Sequence, residues 1–333
     1  MQLQVTTDTT TLSYWLNWRV FLCAIWVLLP MVIASLMIWK YEGSRNLKSE
    51  EGEIREIKSW MFCGDEAWKP CIKEIHPICL LVFRVTAFSL LLVTLIAKIV
   101  INGGAIFYYY TQWTFTLVTI YFGCASLLSL YGCYQYQAPS SRRFNVSCSG
   151  RDAEQGSSTP LLHQDSRNMS RMGCASDANL EIPQAARVWS YIFQILFQIN
   201  AGAVVLTDSV YWFIVFPFLT IKDYDLNFMT VNMHTLNAVL LLGDTALNCL
   251  RVPWFRISFF VLWTGIFVIF QWIIHACVPI WWPYPFLELS SNSAPLWYLL
   301  VALMHIPCYG LFMLIVDLKH YLLSKWFPMS YQC

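Results

Sequence analysis

The chain is short of charge. Of its 333 residues only 12% are Asp, Glu, Lys or Arg, about half the roughly 25% of an ordinary soluble domain. A net charge of +1 offers no basic surface for a nucleic-acid partner. So little charge, with 17% aromatics, does not describe a disordered chain either. Cysteine is thin for a disulfide-stapled scaffold, 12 over this length. His76, His163, His234, His275, His305 and His320 are scattered, with no i,i+4 pair and no HExxH, so no metal site is expected. Neither GxGxxG nor GxxxxGK[ST] occurs, so Gly103-Gly104 reads as a bend before a helix and no cofactor is implied. No internal repeat of the kind found in many transporters is visible.

What is present is apolar: 57% of residues, in long uninterrupted windows. A helix needs about 20 mainly apolar residues to cross a hydrocarbon layer of ~30 Å. Seven windows qualify: 20–39, 78–97, 110–131, 188–216, 232–250, 257–275 and 296–316. The fourth is taken as a long tilted helix followed by a turn near Pro217. The expected fold is therefore all-α, a polytopic membrane bundle of about seven transmembrane helices. The first window is longer than a signal-peptide core, carries Pro30 and lacks a small-x-small cleavage site, so it reads as an anchor.

Loop charge gives an orientation. Lys and Arg number 3 across the 1–19 tail and the second, fourth and sixth loops. The opposite set (loops 40–77 and 138–187, the fifth loop and the 317–333 tail) carries 17. This predicts an extracytoplasmic N-terminus and a cytoplasmic C-terminus, in the plasma membrane or the endoplasmic reticulum. Residues 138–187, rich in Ser, Gly, Asn and Arg without apolar periodicity, read as a disordered cytoplasmic loop. Its sequons at Asn145 and Asn168 then stay unmodified, and Cys63 and Cys71 are expected as free thiols on the same side.

Ionisable groups inside spans are costly and take paired or functional roles. Arg84 lies about 9 Å into its span from the cytoplasmic start and Asp244 about 18 Å into its own from the outer start. Both fall in the inner half and can form a buried ion pair, which locks two helices or couples to proton movement. In the outer half the topology gathers Thr111, His234 beside Asn232, and the 276–295 loop with Trp281-Trp282-Pro283-Tyr284-Pro285. A threonine hydroxyl becomes a nucleophile when a base such as histidine takes its proton. The same residues read equally as helix glue, the Thr bonding its own backbone and the aromatics anchoring at the interface. Seven spans with an external N-terminus also describe a G-protein-coupled receptor. Leu130-Tyr131-Gly132-Cys133 and Ile306-Pro307-Cys308-Tyr309 lack that family's acidic-Arg-aromatic triplet and Asn-Pro pair, which disfavours it.

Three segments resemble a known family. Tyr109-Tyr110-Thr111-Gln112-Trp113-Thr114-Phe115, ending at Tyr121-Phe122-Gly123, is similar to the first shared helix of the androgen-induced-gene / rolling-stone family of multi-pass membrane proteins. Asn232-Met233-His234-Thr235 resembles its Met-His-Thr segment, and Pro283-Tyr284-Pro285-Phe286-Leu287-Glu288 its Tyr-Pro-Phe-Leu-Glu loop. The resemblance runs from about Ile78 to Phe327 and is nearest to a plant branch without an assigned activity. It implies a hydrolase with Thr111 as nucleophile and His234 as its partner, cleaving fatty acid esters of hydroxy fatty acids or similar lipids. Rolling-stone members are linked instead to myoblast fusion. The added first span and the long third loop depart from the shorter members. Asn232, Trp282 and Tyr284 are the expected oxyanion or pocket residues. Membrane lipids, with a lipid ester among them, are the expected partners. The alternative is a non-enzymatic scaffold or a small-solute transporter.

Overall fold

A computed structural model of the protein describes residues 8–42, 67–137, 184–215 and 228–333, with side chains at 184–187, 215 and 228–232 excluded. Residues 138–183 of the third loop, with its sequons, Cys63 and the turn near Pro217 lie outside the described residues, while 184–187, expected as the end of that disordered loop, are helical and open the fourth long helix.

Seven long helices make up the described chain: α1 Trp18–Glu42, α2 Pro77–Asn102, α3 Tyr110–Gln137, α4 Gln184–Val210, α5 Phe228–Leu247, α6 Ile257–Cys277 and α7 Ala294–Trp326. A wider π-type turn, Tyr211–Val215, extends α4. Among the described residues there is no strand, only isolated bridges at Pro70–Asn248 and Ile72–Tyr331. Helices dominate because no water is available in hydrocarbon to satisfy backbone N–H and C=O groups, so each segment must satisfy its own.

The ends are set by local chemistry. Pro77 opens α2 at a position where its missing N–H costs nothing, and His76 caps it by accepting from the Ile78 amide at 3.2 Å. The same helix closes at Gly103, whose φ of 70° only glycine adopts cheaply and whose amide returns to Ile99 O at 2.8 Å. That turn delivers the chain to Tyr110 and fixes where α3 begins.

Six helices (α1 to α4, α6 and α7) are long and apolar enough to cross a membrane. The seventh expected span is a 20-residue helix, but α5 is not among the six. It packs against α2, α3 and α4, and His234, Asn237, Asp244 and Thr245 along it are buried. The other helices overrun their apolar windows. At 33 residues and ~1.5 Å per residue, α7 is about 50 Å long and projects beyond a hydrocarbon layer of ~30 Å.

The partition of side chains is that of a membrane protein. Val100, Leu127 and Phe213 are 77%, 69% and 73% exposed, and exposed Leu, Ile and Val residues recur along most of the helices. Arg84, Asp244, Asn200 and Gln271 have no exposure at all. A water-soluble protein covers large apolar patches and leaves its charges outside. Here the solvent for the outer surface is lipid.

α4 is the hub. It packs against α3, α5, α6 and α7, with α1 resting on α6 and α7 and with α2 resting on α3 and α5. Gly202 allows the close approach of α4 to α6, since a Cβ there would sit 2.3 Å from the Phe260 ring. At one end of the bundle the Thr9 hydroxyl donates to His275 O (2.7 Å) and Arg19 Nη1 to Ser290 O (2.8 Å), tying the N-terminal segment to the loop after α6. At the other end segment 67–76 lies between the loop after α5 and the tail after α7. Cys71 N donates to Leu247 O (2.9 Å) and Gln332 N to Cys71 O (3.1 Å).

Candidate functional site

Tyr110 and Thr111 form the first turn of α3. Tyr110 is buried and its hydroxyl meets Thr264 Oγ1 of α6 at 2.9 Å, which fixes the rotation of that turn. Thr111 then points toward the loop after α6, its Oγ1 lying 3.3 Å from the Tyr284 hydroxyl. Tyr284 is held by an edge contact with Tyr109 and a stack on Phe286, with centroids 5.9 and 5.1 Å apart. The Pro-Tyr-Pro loop therefore does meet the start of α3.

His234 occupies the second turn of α5, because the helix starts at Phe228, four residues before the apolar window does. Its ring stacks on Tyr211 at 3.7 Å and 8°. Its Nδ1 stands 3.5 Å from Asp208 Oδ1, an ion-pair separation longer than a well-formed hydrogen bond. Both atoms are shielded from solvent. Thr111 is thus paired with Tyr284, and His234 with Asp208. The two turns are nevertheless neighbours, since Gln112 Nε2 reaches Met233 Sδ at 3.5 Å. The Asn232 side chain lies outside the described residues. Trp282 stacks on His275 at 3.7 Å and 9°, on the far side of Tyr284 in sequence from the Thr111 contact.

A cleft of about 370 Å³ runs beside this region between α4, α5 and α7. Asp208 and Ser209 are its polar residues, and Val204, Trp212, Leu241 and Phe312 are among its apolar walls. A cleft of this size and character accommodates an acyl chain and places a single carboxylate against it.

Arg84 and Asp244 meet in the opposite half. Arg84 Nε donates to Asp244 Oδ1 at 2.7 Å and Nη2 to Oδ2 at 3.3 Å, both side chains having no exposure. Arg84 Nη1 donates to Ala67 O (2.6 Å) and Ser129 Oγ (2.7 Å). Asp244 Oδ2 also accepts from Tyr121 OH and from Asn248 Nδ2 (2.8 Å). All three guanidinium nitrogens and both carboxylate oxygens are hydrogen-bonded, joining α2, α3 and α5. Such saturation is the condition under which a buried ion pair is tolerated.

Sequence reasoning missed three features. Asp208 sits within a long apolar run, and nothing local marks it as the partner of a histidine 26 residues later. Arg256 was counted as a loop cation, yet it is 2% exposed, pairs with Glu42 at 2.9 Å and donates to Gln194 and Gln198 of α4. Gln194 and Gln198, one turn apart, were the available signal. Cys249 and Cys333 form a disulfide across 84 residues, with the free Cys71 thiol beside it.

Fold and composition together define an all-α polytopic membrane helix bundle. No family model matches the chain, and neither does any curated protein or solved structure.

Proposed function

We propose that the protein is an intramembrane lipid-ester hydrolase, with Thr111 as nucleophile and His234 as general base. The observation that carries this reading is the contact of buried His234 with half-buried Asp208 at 3.5 Å beside an apolar cleft of about 370 Å³. A carboxylate at Nδ1 orients the imidazole and leaves Nε2 to take a proton. The resemblance of 109–115, 232–235 and 283–288 to the androgen-induced-gene / rolling-stone family supports the choice of Thr111.

In this scheme the Thr111 hydroxyl attacks the ester carbonyl as His234 accepts its proton. The carbonyl oxygen becomes an oxyanion, to which the Tyr284 hydroxyl, 3.3 Å from Thr111 Oγ1, would donate. Collapse breaks the ester C–O bond and His234 returns the proton to the departing alcohol. Water, deprotonated by His234, then attacks the threonyl ester, releasing the fatty acid and restoring Thr111. The charge split of 17 to 3 supports an extracytoplasmic N-terminus. A substrate then enters laterally at the outer interface, from the plasma membrane or the endoplasmic reticulum.

The Thr111–Tyr284 contact favours a second reading, a non-enzymatic scaffold in which both residues bridge α3 to the loop after α6. Labelling of purified protein in detergent by a fluorophosphonate probe separates the two. The hydrolase reading expects labelling of the wild type, its loss in Thr111→Ala and its retention in Thr111→Ser. His234→Ala and Asp208→Asn should lower it by about 10²-fold and 10-fold, the usual scale for a base and its orienting group. Monodisperse wild-type protein that takes no label overturns the hydrolase reading.

A further inference from the structure

The end of the bundle opposite Thr111 holds three cysteine sulfurs, Cys71, Cys249 and Cys333, all within 4.8 Å of one another. Cys249 and Cys333 are joined, so the tail after α7 is stapled to the loop after α5. Cys71 is a free thiol on the segment that lies between them, 1% exposed. Backbone bonds hold this sandwich on both sides: Cys71 N to Leu247 O at 2.9 Å, Lys73 N to Ser330 O at 2.9 Å and Gln332 N to Cys71 O at 3.1 Å. Cys333 is partly exposed and Cys249 is 3% exposed, so the three sulfurs grade from the surface inward.

A static structural staple needs two cysteines. A third thiol within exchange distance of a disulfide is chemically different, because a thiolate attacks a disulfide sulfur directly. The Cys71 thiol donates to Asn248 O, and the Lys319 ammonium, which donates to Thr245 O (3.0 Å) and to the same Asn248 O (2.8 Å), is the nearby positive charge that favours the Cys71 thiolate. Burial pushes the Cys71 thiol up and Lys319 opposes that, so exchange at this sulfur accelerates toward alkaline pH. The same end carries the excess of Lys and Arg that supports a cytoplasmic assignment. Disulfides in that compartment are mostly transient and redox-active.

We propose that Cys71, Cys249 and Cys333 form a thiol–disulfide exchange site, entered by small thiols or disulfides of the glutathione type at Cys333. Cys71 loses its proton to solvent, and its thiolate attacks one sulfur of the Cys249–Cys333 bond. As the Cys71 bond forms, the old S–S bond breaks, and the displaced cysteine leaves as a thiolate that takes up a proton. No net electrons move in this step. Two molecules of an external thiol reduce the disulfide in two such steps, the first forming a mixed disulfide and the second resolving it, and leave as their own disulfide. The exchange shifts the cross-link among the tail after α7, the loop after α5 and the segment before α2. Asn248, beside Cys249, bonds Asp244 at 2.8 Å, so this cross-link abuts the buried ion pair.

The test uses the full-length protein in detergent, equilibrated with a reduced and oxidised glutathione mixture at pH 8. It is then acid-quenched, alkylated and mapped by non-reducing peptide mass spectrometry. The site predicts Cys71–Cys249 or Cys71–Cys333 peptides in the wild type alongside Cys249–Cys333. It predicts a Cys71–Cys333 bond in Cys249→Ser and a Cys71–Cys249 bond in Cys333→Ser. Cys71→Ser should slow glutathione reduction of the remaining disulfide on the order of tenfold, because a neighbouring thiol acts at an effective concentration of millimolar or more. Cys71 free in the wild type and in both single variants overturns the proposal. So does stoichiometric zinc that protects all three thiols of the reduced protein, which makes the cluster a metal site.

Discussion

Replacing Asp244 by alanine removes the carboxylate paired with a guanidinium that has no exposure. Arg84 loses two bonds, of 2.7 and 3.3 Å, and Asn248 loses a bond of 2.8 Å. Tyr121 loses its acceptor as well. Two unit charges ~4 Å apart attract by about 4 kcal/mol at an effective dielectric constant near 20. Removing one partner of a buried pair costs about 3–5 kcal/mol, most of it the stranded charge. At roughly 2–4 °C per kcal/mol for a domain of some 200 residues, the melting temperature should fall on the order of 10 °C. Tryptophan-fluorescence melting in detergent or nanodiscs reads this directly. The double variant Arg84→Met/Asp244→Leu should regain most of the loss, because no charge is left stranded. A single-variant loss below about 1 kcal/mol, or a double variant no better than Asp244→Ala, refutes the account. Solute flux that vanishes in a well-folded double variant makes the pair a transport element.

Gly202→Ala should destabilise by about 1–3 kcal/mol, since its Cβ would lie 2.3 Å from the Phe260 ring; Phe260→Leu in the same chain should restore part of the melting temperature. Glu74 accepts from the Ser330 hydroxyl, which holds its carboxyl below the usual glutamate range. A lowered folded pKa means the contribution is complete above the ordinary value of about 4.3 and is lost as pH falls through the folded one. Hydrogen-exchange protection of the Lys73 amide, bonded to Ser330 O at 2.9 Å, should therefore weaken on acidification, and Glu74→Gln should remove that pH dependence.

The sequence by itself determined that this chain lives in lipid. Uninterrupted apolar windows carry the membrane signal residue by residue, because each lipid-facing side chain reports its own solvent. Arg84 and Asp244 could be singled out for the same reason, a charge inside such a window being conspicuous. Their saturation by Ser129, Tyr121, Asn248 and Ala67 could not, since those groups come from α3, the loop after α5 and the segment before α2. The apolar windows also include α5, which is two-sided: His234, Asn237 and Asp244 are buried in the bundle, whereas Val239 and Leu242 are exposed. Only the tertiary structure decided that His234 faces Asp208 while Thr111 faces Tyr284, that Arg256 belongs to Glu42, and that three cysteines from separate segments meet at one end. Polar contacts across a bundle depend on the rotation and register of each helix. Those are set by close approaches such as Gly202 on Phe260, and no single helix encodes them.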